Sequence, residues 1–356
     1  MKRVLFPERA NWQQAHQEIG FDYYNLPSRD GSMYWSEGVA YEFSLKQIEQ
    51  LEDASNELHQ MCLEVAGDMI QRGHYPEYFQ IPPAAIPLIE HSWNNQAPML
   101  YGRFDFAYDG QAIKMLEYNA DTPTGLLEAS VAQWHWIEQV ENIANRDQFN
   151  SIHEKLIERW KQLYPARSRV HFAACQEAGR EDWGNLEYLM DTAFQAGLNV
   201  SELSMENIGW NGTAFVDLHQ QEIQHLFKLY PWEWIWEENF SQFLKPETEW
   251  IEPCWKMLLS NKALLIELWK RFPNHPLLLE THAYDAHAHY AGKWVRKPIL
   301  AREGANIHIL QNNVDCGAAS GSFYFDDYDK YGYVMQRWVK TPLHEGMLPT
   351  LGLWMV

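Results

Sequence analysis

Arg103, Asp105, Glu117 and Asn119 all fall within GRFDFAYDGQAIKMLEYNADTPTG, residues 102–125 of the 356-residue chain. Two carboxylates and an amide oxygen converging on one face make a hard-oxygen site suited to Mg²⁺, which keeps several waters and is completed by substrate phosphates. An arginine beside such a site would contact a transferring phosphate. The competing reading is an amphipathic hairpin whose polar face simply meets water.

A second constellation is spread over the last hundred residues: Lys262 in SNKALL, Lys297 in WVRKPILAREGAN and Gln336 in VMQRWV. A lysine beside a proline at the end of an apolar strand, followed by the Arg302-Glu303-Gly304-Ala305-Asn306 turn, could set an ammonium and backbone N–H groups around a polyphosphate. Singly, each lysine could equally be a solvated charge on a buried stem. Lys262 stands out because it lies early in an otherwise apolar, helix-patterned run. His282, His287 and His289 invite a transition-metal reading, but they lie in an expected loop without an organised carboxylate or cysteine partner. Cys175 and His171 do not read as a thiol nucleophile and base, and Cys175 is expected to be a buried structural cysteine.

The elements must bring the acidic residues together. Met99 to Tyr108 and Ala112 to Asn119 read as strands around Asp109-Gly110. Parity decides which face each residue occupies. A two-residue Asp109-Gly110 loop would set Asp105 opposite Lys114 and leave Glu117 on the other side. A three-residue loop, Tyr108 to Gly110, sets Arg103 opposite Met115 and Tyr101 opposite Glu117, and gathers all four polar groups. The three-residue loop is the expectation, with Gly110 in the left-handed position.

Around the hairpin, Ser44 to Arg72 reads as one long helix with a Ser44/Gln47 capping box and an apolar stripe including Leu45, Ile48, Leu51, Leu58 and Met61. Pro82-Pro83 open a second helix through Leu88 and Trp93. Strand, helix and strand follow near Arg169, Glu181 to Ala196 and Asn199 to Leu203, an α/β unit with Gly197 as a helix stop. Asn261 to Phe272 reads as a helix stopped by Pro273. Lys293–Ile299, Ile307–Leu310, Phe323–Phe325, Tyr333–Val339 and Leu351–Val356 read as strands of a mostly antiparallel sheet. The fold class is α+β.

Composition narrows the partners. Lys and Arg number 28 against 48 Asp and Glu, a formal net charge of −20 that repels nucleic-acid phosphates and anionic lipid. Four separated cysteines form no CxxC pair and suit a reducing compartment. No signal peptide or membrane-length apolar run is evident, so a cytoplasmic protein is expected. The 17 tryptophans suggest carbohydrate stacking, a reading Glu237-Glu238 as paired acids would join, but large aromatics more often fill cores.

RFDF, LEYNADTPT, LYPWE, EPCWK, SNKALL, FPNHPLLL and KPILAREGAN occur in the order and spacing of the glutathionylspermidine synthase family, which the chain resembles over essentially its whole length. The resemblance is to the stand-alone ATP-grasp acid–amine ligase members that lack the amidase domain. It implies a glutathione-synthetase-like ATP-grasp fold with an additional α/β (preATP-grasp-like) subdomain. It implies three regions: 1–165, helical with the metal-binding hairpin; 166–232, the α/β subdomain; and 233–356, the nucleotide-binding region. The implied reaction is ATP-dependent formation of an amide from a carboxylic acid, peptide-like or otherwise, and an amine, through an acyl phosphate.

The resemblance further implies that Arg103 is catalytic, contacting the phosphates, and that Asp105, Glu117 and Asn119 hold Mg²⁺. Arg103, Phe104, Asp105, Lys262, Lys297, Gly304, Gln336 and Arg337 would bind ATP, and Thr122 and Thr124 would border the acid, where bifunctional members have serines. The stretch that binds polyamine in those members falls near Glu181 and Asp182, in surroundings different enough that neither is assigned as a ligand. Relatives continue past LGLWMV into a strand and a glycine-isoleucine-arginine segment, which implies a truncated nucleotide site with weak turnover. A nucleotide-binding pseudoenzyme or interaction protein is the alternative function, and a homo-oligomer is compatible with either.

Overall fold

A computed structural model describes the chain apart from residues 28–32, 142, 144–145, 320–321, 323, 325 and 345, and gives the backbone alone for 326–327. The strand expected at Phe323–Phe325 lies outside the described residues. Near the N-terminus, β1 (Lys2–Leu5) and β2 (Val39–Glu42) pair antiparallel and α1 (Trp12–Glu18) lies between them in sequence. A buried knot of charge ties this segment down. Arg9 Nε and Nη2 donate to the two Glu37 oxygens at 2.6 and 3.0 Å, Trp35 Nε1 donates to the same carboxylate at 2.8 Å, and buried His16 lies 3.5 Å away.

Helix α2 (Leu45–Arg72) starts where the capping box requires. Ser44 Oγ accepts from the Gln47 backbone and Gln47 Oε1 accepts from the Ser44 backbone, which satisfies two otherwise orphaned N–H groups. Leu51, Leu58, Met61, Cys62 and Val65 form its buried stripe, whereas Leu45, in the first turn, is 73% exposed. After α3 (Ile86–Asn94), β3 (Gly102–Tyr108) and β4 (Ile113–Asn119) form the expected hairpin. Phe104, Phe106, Met115 and Tyr118 lie in the same core as the stripe of α2.

A π-helical turn over Glu128–Ala132 leads into α4 (Gln133–Gln139), then α5 (Ile152–Leu163). The α/β unit follows as β5 (Arg169–Ala174), α6 (Arg180–Gln195) and β6 (Asn199–Ser204). Next come a small ladder of β7 (Gly209–Trp210) and β8 (Phe215–Val216), then β9 (His225–Leu229), α7 (Trp232–Glu237) and β10 (Glu249–Ile251). The sheet order is β10-β9-β5-β6, all parallel, with Val170 to Ala174 buried on both faces as such a sheet demands.

The helix expected over Asn261 to Phe272 begins three residues late, at Leu264. Helix α8 (Met257–Ser260) and α9 (Leu264–Arg271) meet at a corner where Asn261 Oδ1 accepts from the Ala263 backbone and the Lys262 N–H donates to the Ile299 carbonyl. Lys262 therefore stands at a helix junction. The remaining strands are β11 (Thr281–Ala283), β12 (Lys293–Pro298), β13 (His308–Gln311), β14 (Val314–Ala318), β15 (Tyr333–Arg337) and β16 (Thr350–Met355). Five of them form an antiparallel sheet in the order β11-β15-β12-β13-β14, and His282 lies on β11 rather than in a loop.

Strand β16 does not join that sheet, contrary to the pattern-based grouping. It pairs antiparallel with β3, Leu351 opposite Phe106 and Leu353 opposite Phe104, making a three-stranded sheet with β3 central. Alternation alone marks a strand but says nothing about its partner. Seven tryptophans are buried, Trp160 and Trp232 fully so, and Trp134 is the exposed one among the described residues, so the tryptophan content is chiefly core. No helix among the described residues is long and apolar enough to cross a membrane.

Candidate active site

The hairpin gathers its polar residues by a route different from the one expected. The loop is Asp109 to Ala112, with Asp109 Oδ1 accepting from the backbones of Gln111 and Ala112 and Gly110 in the left-handed region at φ +95°. From that four-residue loop Tyr108 pairs with Ile113 and Phe106 with Met115. Continued regularly, the ladder would set Asp105 opposite Leu116 and send Glu117 to the other face. A β-bulge at Leu116 adds one residue to β4 and reverses the parity. Asp105 then faces Glu117 and Arg103 faces Asn119, so all four share one face.

Lys297 and Gln336 hold the bulge in place. The Leu116 carbonyl accepts from Lys297 Nζ at 3.1 Å and the Met115 carbonyl from Gln336 Nε2 at 3.2 Å, while Lys297 Nζ also donates to Gln336 Oε1 at 2.6 Å. Lys262 Nζ lies 3.1 Å from Glu117 Oε2 and donates to the Ala301 carbonyl at 2.9 Å. Both lysines and Gln336 thus converge on the acidic hairpin, and all three are buried.

Arg103 is the link between the carboxylates and the loop beyond β4. Its Nε and Nη2 donate to the two Asp105 oxygens at 2.7 and 3.2 Å, and its Nη1 donates to the Thr124 carbonyl at 2.5 Å. Burial would raise both acids. In Glu117 the ammonium groups of Lys262 and Lys297 outweigh that and bring it below the usual range, whereas Asp105 stays above it because Glu117 adds to the burial against the pull of Arg103. Burial also lowers Lys297, to about 8, with Glu117 opposing and Lys262 reinforcing the shift.

The other expected residues separate into two groups. Gly304, at φ +70°, sits in the turn after β12, where its carbonyl accepts from Ser322 Oγ at 2.7 Å. In that turn Arg302 Nη2 lies 3.6 Å from Asp182 Oδ1 of α6. Thr122 is buried and Thr124 borders Arg103. Phe104 turns its ring to the opposite face, stacked on Tyr118 at 3.8 Å, so only its backbone borders the polar side. Arg337 also points away. It stacks over Trp294 at 4.1 Å and donates to the Ala291 carbonyl and to Glu280, on the face of β15 opposite Gln336.

Several residues that the sequence left without an assigned role join the site. Glu181, in the first turn of α6, is raised by burial against a hydrogen bond from Thr124, and nearby Glu128 and Asp182 raise it further. Glu128 is buried, with Oε1 accepting from Tyr34 at 2.5 Å and Oε2 unpartnered. Asp121 accepts from Lys228 Nζ at 2.6 Å and from the Trp232 backbone at 3.0 Å. Asp121 was visible inside LEYNADTPT beside Thr122, but Glu128 and Lys228 lie in runs that read as ordinary helix and strand. Cys175, expected to be buried, is half-exposed and donates to Glu206 at 3.0 Å, and His171 is instead paired with Asp217 at 3.3 Å.

A parallel α/β unit, an antiparallel sheet and a hairpin between them define the glutathione-synthetase-like ATP-grasp fold. The glutathione synthetase-like effector of Globodera pallida shares it, with a TM-score of 0.55 at 10% identity over 95% of this chain and 84% of that one. The glutathionylspermidine synthase preATP-grasp family model matches residues 3–356, and the chain belongs to that family. It is 51% identical to the "Putative acid–amine ligase" of Haemophilus influenzae, over 100% of this chain and 92% of that protein. Trypanothione synthetase of Crithidia fasciculata is 25% identical over 98% of this chain, and the bifunctional glutathionylspermidine synthetase/amidase of Escherichia coli 26% identical over 77%. The chain spans 57% and 48% of the length of those two relatives. All three are named as ligases or synthetases.

Proposed function

We propose that the protein is an ATP- and Mg²⁺-dependent ligase that joins a carboxylic acid to an amine through an acyl phosphate. The observation that carries this reading is the cross-strand set of Asp105 opposite Glu117 and Arg103 opposite Asn119, with Lys262 and Lys297 at its edge. This donor set fits the metal: carboxylate and amide oxygens suit Mg²⁺, and Arg103 and Lys262 balance the carboxylates otherwise. When bound, Mg²⁺ and ATP would supply charge neutralisation and the phosphoryl group, with Asp105, Glu117 and Asn119 as the metal's residues.

The remaining work falls to the chain's own groups. Lys262, Lys297 and the Gly304 turn hold phosphate oxygens, and Gln336 fixes the Lys297 ammonium by accepting from it. Arg103 stays beside the transferring group because Asp105 and the Thr124 carbonyl lock its guanidinium plane, and such oriented charge is the main protein contribution to phosphoryl transfer. Thr122 and Thr124 border the acid. Glu128 and Asp182 lie close enough to Glu181 to raise it, and the three suit an ammonium; the amine gives up its protons to solvent, bonds to the acyl carbon through nitrogen and displaces phosphate as the C–O bond breaks. Region 1–165 would supply the metal hairpin, 166–232 the α/β support and 233–356 the lysines.

Relatives named for glutathionylspermidine and trypanothione synthesis make glutathione with spermidine the first pair to try. The test is Mg²⁺-dependent ADP release over a panel of acids and amines, with ¹⁸O in the acid carboxylate. Amide formation with one ¹⁸O appearing in inorganic phosphate supports the acyl-phosphate route. Mg·ATP binding without ADP release from any pair would favour a nucleotide-binding protein without turnover.

A further inference from the structure

Buried ion pairs hold the hairpin where its chain enters β3 and leaves β4, one formed with β9 and the other by the segment after β10. Below its entry, Glu252, which follows β10, accepts from the Leu100 and Tyr101 backbones at 3.0 and 3.1 Å and is paired with Lys256, whose Nζ also donates to the Tyr101 carbonyl. Below its exit, Lys228 on β9 is paired with Asp121 at 2.6 Å. Tyr101 lies two residues before Arg103, and Asp121 two residues after Asn119. Trp232 spans the two pairs, its N–H donating to Asp121 and its Nε1 to the Glu252 carbonyl, each at 3.0 Å.

All four charged side chains are at most 3% exposed. Burying two ion pairs is a poor way to gain stability, because desolvation can exceed the attraction and apolar replacements of similar volume are often neutral or stabilising. What ion pairs supply that apolar contacts do not is direction: Asp121 and Glu252 each bind backbone or ammonium donors at fixed points, which sets the hairpin's height and tilt on the sheet.

We propose that Asp121–Lys228 and Glu252–Lys256 are a positioning device that clamps the hairpin's entry and exit to β9 and to the segment after β10 and so holds Arg103, Asp105, Glu117 and Asn119 in their working geometry. The clamp is inferred from the contacts themselves. Only its consequence for nucleotide binding rests on the ligase reading.

The test compares the wild type with the double variant Asp121→Leu/Lys228→Met. Its readouts are the melting temperature, amide exchange at residues 103–105 and 117–119 against residues 58–65 of α2, and Mg·ATP affinity by calorimetry. The expected result is a melting temperature within a few degrees of the wild type, because removing two buried charges offsets the Trp232 N–H left without its acceptor, with hairpin amides exchanging at least about tenfold faster relative to α2. Mg·ATP affinity should fall about ten- to a hundredfold. Unchanged relative exchange at the hairpin, or equal acceleration in hairpin and helix, overturns the proposal. If the wild type binds no Mg·ATP, the nucleotide reading fails and the exchange ratio alone decides the clamp. If the double variant does not fold, Lys228→Arg takes its place: it keeps the charge but not the shape, and unaltered hairpin exchange in that variant overturns the proposal.

Discussion

Asp105 faces Glu117 because Leu116 is bulged out of the β4 ladder, and the bulge's carbonyls are taken up by Lys297 and Gln336 from the antiparallel sheet. The groups proposed to hold phosphate therefore also help set the faces on which the carboxylates stand. Gln336→Leu removes both the acceptor for Lys297 and the donor to Met115. It should destabilise the protein by about 1–3 kcal/mol, the usual cost of leaving buried polar groups unmatched. Mg·ATP affinity should fall as well, and denaturant melts with calorimetry on the same sample check both.

Asp105→Ala and Glu117→Ala should weaken Mg·ATP binding far more than they weaken the fold. Each carboxylate is partly accessible and balanced by a cation, Arg103 or Lys262, so the unliganded melting temperature should move by only a few degrees. The stabilisation that Mg·ATP adds to the wild type should vanish in both variants, and an undiminished shift in either contradicts the assignment.

Arg103→Lys keeps the charge but not the fork that reaches Asp105 and the Thr124 carbonyl together. ADP release should fall about a hundredfold or more while Mg·ATP still binds. Steady-state rates and equilibrium binding separate the two effects.

Lys297 gives opposite pH slopes for stability and binding. Its folded value, about 8, lies below the ordinary 10.5, so the unfolded chain holds that proton more tightly. On this group's account the unliganded protein gains stability as pH rises from about 8 to 10.5, because the cost of burying the charged form is relieved. Affinity for the anionic triphosphate should fall over the same interval as the ammonium is lost. Lys297→Met should flatten both slopes, which melts and titrations across that range would read.

Glu37 sets an acid limit. Burial would raise it, but hydrogen bonds from His16, Arg9 and Trp35 bring it down to about 2. Its contribution to stability is complete above the ordinary value of 4.5 and is lost as pH falls through about 2. Urea midpoints measured downward from neutral pH should drop over that window in the wild type and stay flatter in Glu37→Gln.

The polar residues of the hairpin were legible because their types and spacing point to one chemistry, but the way they meet was not. A three-residue turn and a four-residue turn followed by a bulge give the same face, and local propensity does not distinguish them. Lys262 read as an early helical residue because its neighbours are apolar at helical spacing. The corner between α8 and α9 exists because the Ile299 carbonyl, distant in sequence, takes the Lys262 N–H.

By itself the chain's pattern determined the long capped helix from Ser44, the strand–helix–strand unit around β5, the membership of a ligase family and the list of groups able to bind metal and phosphate. Those follow from short-range rules, such as caps, alternation and turn residues, or from runs of matching residues. Tertiary structure decided the pairing of β16 with β3, the parity of the hairpin, the turning away of Phe104 and Arg337, and the burial of Asp121, Lys228, Glu252 and Lys256 beneath it. Each of these depends on which distant backbone or charge fills a place, and desolvated ion pairs in particular exist only where both partners are brought together out of water.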